Sequence, residues 1–359
     1  MGFVNMIDKK TNSANVWIRK RLVTLSEMEN IKKKAKLIDS VILSGDQEKE
    51  IREFFKQNYG KEIPSLWHRL YQSYTGKYHV DYFPELLFSV ELEPKTNPYR
   101  EAEFLCDKSL LNVLFANIPN IHIPKTYISC TRGIIRDENN DLIDQKAAVR
   151  IIEGLSSFVI KKTRNTSSGR DVLIYKGQKR PNTILSDFGK DYVVQELITQ
   201  HSLLQSLNPS SVNTFRVITY ICGNRVNVCP VALRIGQKNA DKDNIHYGGV
   251  CVGVNNDGTL KEKAFTEFGD AFKEHPDTHV VFKGHFVPVR EVIDSAVRMH
   301  RLIPYLGIIS WDFTVDNDAR PTIIEMNTTG QSAWFCQMVN GEPLFGDNTK
   351  EMLKIIRKQ

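Results

Sequence analysis

The chain has 359 residues, 41% hydrophobic and 25% charged, with a formal net charge of +6. That is enough to build one large or two ordinary domains with true cores, and no apolar run approaches the roughly 20 residues needed to span a bilayer. Much of the positive charge lies in residues 1–60, as in Arg19-Lys20-Arg21 and Lys32-Lys33-Lys34. Such clusters can face nucleic acid or an anionic membrane. Here they sit in a stretch rich in Glu and Lys with helical spacing, where a solvated face is far commoner, so no nucleic-acid partner is expected. The six cysteines are scattered without a C-x-x-C pair, which argues against a zinc site and against a disulfide framework. A reduced, cytoplasmic setting is the expectation. The opening MGFVNMIDKK lacks a signal-peptide pattern, and Gly2 is not followed by the Ser or Thr that a myristoylation signal requires.

Taken in chain order, residues 1–60 place apolar residues at spacings of three and four, which predicts helices, one starting near Asp46. Residues 61–100 are rich in aromatics, including Trp67, Tyr71, Tyr74, Tyr78, Tyr82 and Phe83, and are broken by Pro64, Pro84, Pro94 and Pro98. Short helices joined by ordered loops are expected there, with the aromatics packed more often than lining a cleft. From about residue 105 the texture changes. A helix over DKSLLNVLFANI leads into strand TYISC, a turn at Asp137–Asp141 and a helix near 144–154. Strands FVIKK, DVLIYKG and YVVQELI follow, then the pair TFRVITYI and RVNVCPVALRIG joined at Cys222-Gly223-Asn224. A helix over REVIDSAVRMHRLIPYL precedes strands IISWDFTV and PTIIEMN. Gly- and Asn-rich turns between alternating runs indicate antiparallel pairing, so the fold class is α+β.

Four segments carry chemistry. In WDFTVDNDARPTIIEMN two strands form a hairpin, with Asp312 on the first and Glu325 and Asn327 on one face of the second. Three hard oxygen donors converging this way suit magnesium, which takes substrate phosphates as further ligands. Taken alone, ordinary surface acids at strand ends are an equal reading. In FVIKKTRNTSSGRDVLIY, strand-end Lys161 precedes a small polar loop containing Ser168 and Gly169, whose N–H groups can approach phosphate. Alternation puts Lys162 on the other face. This is not the Gly-Lys-Ser/Thr phosphate loop, and Ser/Gly hairpins are common. In YVVQELITQH the strand runs into Gln195 and Glu196, with Ile198 and His201 beyond. A strand that breaks there can offer backbone groups to an adenine and an acid or imidazole to a ribose, though a plain strand end with a solvated histidine reads equally well. Arg216 and Arg234 fall on neighbouring antiparallel strands beside a loop containing Asn244, His246, Gly248 and Gly249. Paired arginines of this kind can stabilise charge on a transferred phosphoryl group and its acceptor.

In their order, DKSLL, FVIKK with its Ser/Gly loop, VVQELITQH, SVNTFRVIT, ALRIG, NIHYGG, HPDT and SWDF…PTIIEMN resemble the ATP-grasp superfamily over roughly residues 105–345. In particular they resemble its sugar-transfer-associated branch, related to the α-L-glutamate ligases. The resemblance implies two α+β lobes with antiparallel sheets clasping ATP, preceded by a helical and aromatic N-terminal region over residues 1–104. The ATP-grasp domain would span 105–359, its first lobe 105–197 and its second 198–359. Lys108 and Lys161, with Ser168 and Gly169, would contact the phosphates of ATP. Gln195, Glu196 and Ile198 would hold the adenine edge, with His201 near the ribose. Arg216 and Arg234 would serve the acyl-phosphate region, and Asp312, Glu325 and Asn327 would bind Mg2+. Thr328-Thr329-Gly330 stands where the family often has Ser-x-Pro-Gly, a departure on the acceptor side.

The activity so implied is ATP-dependent ligation of a carboxylate to an amine through an acyl phosphate, attaching an amino acid in cell-surface polysaccharide biosynthesis. The expected substrates are a small carboxylate and an amine, with a sugar or sugar nucleotide as one candidate. A phosphotransferase and a non-catalytic nucleotide-binding protein stay open as alternatives. Specificity is expected to reside in residues 60–100 and the loops near 235–250 and 328–345, where Trp334 and Phe335 line an acceptor pocket or pack in the core.

Overall fold

The protein is described by a computed structural model covering residues 2–164, 172–177, 184–238, 240 and 243–357, with side chains of the first helix from Val16 onward. Two compact units emerge. One comprises residues 1–96 and 330–359, the other residues 97–329.

The first unit is helical. A long helix, Gly2–Lys33, is followed by Gly45–Asn58, Leu66–Thr75 and a helical stretch over 85–96, and the unit is completed by Trp334–Asn340 and Thr349–Ile356. The Gly45–Asn58 helix starts one residue ahead of the expected Asp46. Ser44 closes a reciprocal cap, its hydroxyl accepting from the Gln47 N–H while the Gln47 side chain accepts from the Ser44 N–H. The aromatics of residues 61–100 are packed: Trp67, Tyr71, Tyr82, Phe83 and Phe88 are buried, and Phe83 meets Phe345 edge to face at 5.0 Å. Trp334 and Phe335 are buried too, with the Lys34 ammonium 3.7 Å from the Trp334 ring centre.

Two buried carboxylates organise the returning segment. Glu93 accepts from the Gly330 and Gln331 N–H groups at 2.6 and 3.1 Å, and Glu85 accepts from the Ala333 N–H at 3.0 Å. Burial dominates the titration of both. It pushes Glu93 up to about 7 despite its two N–H donors, and it raises Glu85 as well.

The second unit contains two antiparallel sheets. The six-stranded sheet runs in the order β3-β2-β1-β6-β4-β5, with β1 Thr126–Thr131, β2 Ile134–Asp137, β3 Leu142–Ile143, β4 Phe158–Lys162, β5 Val172–Tyr175 and β6 Tyr192–Gln195. Helix Gln145–Glu153, capped by Asp144 through the Ala147 N–H at 2.7 Å, packs Ala148 and Ile152 into this sheet's core with Ile128, Phe158 and Ile160. The helix expected over DKSLLNVLFANI is a single turn, Lys108–Leu110, followed by Leu111–Phe115.

The eight-stranded sheet runs β12-β11-β10-β9-β7-β13-β14, with β8 also paired to β7. Its strands are β7 Thr214–Cys222, β8 Arg225–Val228, β9 Val231–Ile235, β10 Val250–Val254, β11 Leu260–Phe265, β12 Ala271–Phe272, β13 Ile308–Val315 and β14 Pro321–Asn327. The run RVNVCPVALRIG is two strands, because Pro230 has no N–H to give a ladder. β8 closes a tight hairpin with β7 through Gly223 and Asn224, both at positive φ, and β9 pairs with the other end of β7. The helix over REVIDSAVRMHRLIPYL ends at His300, four residues ahead of Pro304, which disfavours helix in the residue before it.

Side-chain alternation divides this sheet into two faces. Phe215, Val217, Leu233, Ile235, Val252, Trp311 and Phe313 form one apolar core. Residues of the opposite parity, including Thr214, Arg216, Arg234 and Asp312, point to the other side. Three polar groups in this core satisfy one another: the Thr219 hydroxyl accepts from the Trp311 indole N–H at 2.8 Å and lies 2.7 Å from His300 Nδ1, whose Nε2 reaches the Leu306 carbonyl.

The titration of Glu93, with that of Glu85, makes the first unit pH-sensitive. The folded pKa of Glu93 lies above the unfolded value of 4.5, so its stabilising contribution is complete below that value and is lost as pH rises through about 7. The first unit should melt at lower temperature near pH 8 than near pH 5, and Glu93→Gln should reduce that difference, leaving the part due to Glu85. An identical pH dependence in the variant would assign it elsewhere.

Candidate active site

The polar face of the eight-stranded sheet is built by strand register. Asp312 on β13 stands opposite Arg216 on β7 and opposite Glu325 on β14, and Thr214 stands opposite Arg234 on β9. Four strands thus place one row of charged side chains side by side on a single surface. Asp312 is buried and receives Arg216 Nε at 2.7 Å and Nη2 at 3.4 Å, while Arg234 Nη2 approaches its other oxygen at 3.0 Å. Burial alone would raise the Asp312 carboxyl, but Arg216 and Arg234 together hold it below its usual range.

Arg234 also donates to Thr214 Oγ1 from Nε at 2.9 Å, and its Nε lies 3.6 Å from Asp243, which the Thr214 hydroxyl also meets. Burial raises Asp243 despite the opposing charge of Arg234. Asp243 was not anticipated from sequence. It sits in a loop without periodicity, and only its place just ahead of Asn244-Ile245-His246 hinted at it. That loop follows a close path: a Cβ on Gly249 would lie 2.6 Å from the Asp243 carbonyl and 3.0 Å from that of Ile235. Asn244 caps the next turn through the His246 N–H, Gly248 has a φ of +89°, and His246 pairs with Glu267 at 2.7 Å.

Two lysines reach the same surface from separate elements. Lys108 places Nζ 2.8 Å from Glu325 Oε1. Its turn is held by Asp107, which accepts from the Ser109 N–H at 3.0 Å and from Arg164 Nε at 2.6 Å, and the Lys108 N–H donates to the Thr163 carbonyl. Lys161, on the adjoining end of β4, donates to the Ile324 carbonyl at 3.3 Å. The β13–β14 register shifts just beyond Asp312, so Ile324 is the extra residue of a bulge. Both lysines are only 7% exposed. Burial, followed by the charge of Lys108, lowers Lys161 to about 8. Lys162 is half-buried on the other face of β4, as alternation requires.

Asn327 completes the corner, its Nδ2 3.5 Å from Asp312 Oδ2. Glu325 and Asn327 are half-buried and each carries a side-chain oxygen, a donor type suited to a hard cation. Asp312, by contrast, is engaged by both arginines. Among the described residues no group of three or more His, Cys, Asp or Glu could hold a metal ion, so a cation here would rest on two carboxylates and an amide.

The remaining predicted residues follow β6. Gln195 is buried, its Nε2 donating to Thr126 Oγ1 at 2.9 Å while its Oε1 has no partner. Such an orphaned buried acceptor fits an amino group supplied by a ligand. Glu196 accepts from His122 Nε2 at 2.6 Å and from the Lys125 N–H at 2.8 Å, and His122 Nδ1 lies 3.2 Å from Asp316. Ile198 is half-buried in the segment that follows. His201 caps the Ser202–Leu207 helix, its Nδ1 accepting from the Leu203 N–H at 3.2 Å. Ser168 and Gly169 lie outside the described residues. Asn97 was not foreseen: its buried amide bonds the backbone of Gly307 and Ile308 and the carbonyl of Thr328, tying the start of β13 to the residue after Asn327.

Comparison with solved structures finds partial likenesses. The D-alanine-D-alanine ligase from Coxiella burnetii is 11% identical with a TM-score of 0.42, matching 72% of this chain and 59% of its own. The L-amino acid ligase from Bacillus licheniformis is 13% identical with a TM-score of 0.42, matching 72% and 50%. Biotin carboxylase from Campylobacter jejuni is 15% identical with a TM-score of 0.43, matching 73% and 48%. The chain thus spans about half to three-fifths of the length of these proteins. No curated protein matches the chain. Residues 87–352, most of the sequence, match the family described as sugar-transfer associated ATP-grasp, and the chain belongs to that family.

Proposed function

We propose that the protein is an ATP-dependent ligase that activates a carboxylate as an acyl phosphate and passes it to an amine. The observation that supports this reading is a cluster of cations, Lys108, Lys161, Arg216 and Arg234, all buried around Asp312 and Glu325. Four buried cations held by a fixed scaffold are pre-organised for phosphoryl groups and need no reorganisation when charge develops.

In this reading Lys108 and Lys161 take the phosphates of ATP. The orphaned Gln195 Oε1 takes the adenine amino group, with Glu196 and Ile198 beside it and His201 toward the ribose. Glu325 and Asn327, with Asp312 behind them, hold Mg2+. When bound, the ion neutralises phosphate charge and fixes the orientation of the phosphates. Arg216 and Arg234 face the acceptor carboxylate, with Asp312 keeping both guanidinium planes in place. Ser168 and Gly169 are assigned to the phosphates on sequence grounds. No covalent enzyme intermediate is required, since the phosphorylated carboxylate is itself the activated species. The family description supports a role in modifying sugar-linked products.

Two variants separate scaffold from chemistry. Asp312→Asn leaves two buried guanidinium groups without their carboxylate and should cost about 3 kcal/mol of stability in a denaturant titration. Glu325→Gln should cost only about 1 kcal/mol yet lower ATP turnover at least about 100-fold. Near-normal turnover in Glu325→Gln would remove the metal assignment. Product analysis tests the reaction class. With candidate acids and amines the expected products are ADP, phosphate and an amide formed only when the amine is present. A stable phosphorylated product formed without amine would make the protein a phosphotransferase. Tight ATP binding with no turnover for any pair would favour a non-catalytic nucleotide-binding protein.

A further inference from the structure

The first helix, Gly2–Lys33, carries a feature that the nucleotide site does not use. From residue 16 onward its packed side consists of Val23, Thr24, Glu27, Met28 and Ile31, all buried or half-buried. Ile18, Leu22 and Leu25, spaced by four and three, form a stripe on the opposite side. They are 49%, 62% and 60% exposed, and Trp17, 61% exposed, borders them one and two turns below Arg21 and Leu25. Isolated exposed apolar residues are ordinary, but Trp17, Ile18, Leu22 and Leu25 on one side of a helix form a patch that asks for a covering.

The charges bordering the stripe say which covering. Between residues 16 and 33 the helix has Arg19, Lys20, Arg21, Lys32 and Lys33 against Glu27 and Glu29, five minus two, or +3. Arg19 and Glu27 lie on the packed side, Arg19 near Glu93, while Lys20 is tied to Glu91 at 2.8 Å and Lys33 lies 3.1 Å from Glu29. Arg21 and Lys32 stand one and two turns from Leu25 on the stripe's own side, and the Arg21 guanidinium lies 5.5 Å from the Trp17 ring centre. A tryptophan and aliphatic residues bordered by basic ones make the pattern of a helix lying in a membrane interface. A second copy laid on the same face would bring two sets of Arg21 and Lys32 to one seam, with Glu29 the one acid on that side among the described residues.

We propose that this face docks on the surface of a bilayer containing anionic lipid. The aliphatic side chains enter the boundary between headgroups and acyl chains, Trp17 sits at headgroup depth, and Arg21 and Lys32 meet lipid phosphates. The helix lies on the membrane and does not cross it: no helix among the described residues is long and apolar enough to span. This inference is independent of the nucleotide reading.

The test uses the full chain and vesicles of phosphatidylcholine, alone or with about 30 mol% phosphatidylglycerol. Of the four tryptophans, Trp67, Trp311 and Trp334 are buried. A blue shift in tryptophan emission on adding vesicles therefore reports Trp17 without a label. The protein should sediment with the anionic vesicles and hardly with the neutral ones, and salt at about 0.5 M should weaken binding several-fold. The combined Ile18→Ser, Leu22→Ser and Leu25→Ser variant should lose at least about tenfold in partitioning. Arg21→Glu with Lys32→Glu, at two exposed positions that leave the stripe intact, should do the same and carries the test alone if the serine variant fails to fold. Absence of binding to anionic vesicles, or binding unchanged in both variants, overturns the proposal. A dimer that dissociates on the serine changes, without lipid binding, also overturns it by assigning the stripe to a second copy.

Discussion

On the polar face of the larger sheet, Asp312 is held between Arg216 and Arg234 at 2.7 and 3.0 Å, all three side chains nearly out of reach of water. Taking three charges out of solvent is expensive, and the arrangement persists because each charge has partners of opposite sign at hydrogen-bonding distance. Its other consequences follow from register. Because Asp312 is the β13 partner of both Arg216 and Glu325, fixing it fixes the spacing of β7, β13 and β14, and with them the whole row of charged groups. Thr214 and Asp243 extend the same network across β9.

The arginines are thus largely neutralised by the protein's own acids. Arg216 and Arg234 stand against Asp312 and Asp243, whereas Lys108 and Lys161 share Glu325 as their nearby carboxylate. Two buried ammonium groups thus lie close to each other and to Glu325. Burial together with the charge of Lys108 already pulls Lys161 down to about 8, the expected response of an ammonium that lacks a full counter-charge. An incoming polyanion relieves that cost. The lysine end is where the scaffold gains most from a phosphate, and the arginine end is where geometry is fixed beforehand.

How much of this could be read from sequence depends on the range of the interactions. The hairpin that sets Asp312 against Glu325 was legible, since alternation and a polar turn are local. The pairing of Arg216 with Asp312 was not, because β7 and β13 are 96 residues apart and nothing in either strand names its partner. Sequence alone places the arginines on neighbouring strands, whereas their immediate partner is Asp312, expected there as a metal ligand. Asn97 and His122 were missed for the same reason, since each acts through residues far along the chain, and Asp243 because its loop has no periodic pattern. The split of RVNVCPVALRIG, by contrast, was announced by Pro230 and could have been read from it.

The bulge at Ile324 shows what local pattern cannot supply. PTIIEMN reads as an unbroken strand, yet one residue is unmatched between Ile323, opposite Phe313, and Glu325, opposite Asp312. Without that extra residue, Glu325 and Ile323 could not both keep the side they occupy, one on the polar face and one in the core. The bulge lets the strand satisfy the apolar core up to Ile323 and then present Glu325 and Asn327 to the site. It also releases the Ile324 carbonyl to receive Lys161. A single irregularity in β14 thereby sets the corner of Glu325 and Asn327 and anchors the lysine that arrives from the other sheet, so the two sheets of this unit meet where this ladder is broken.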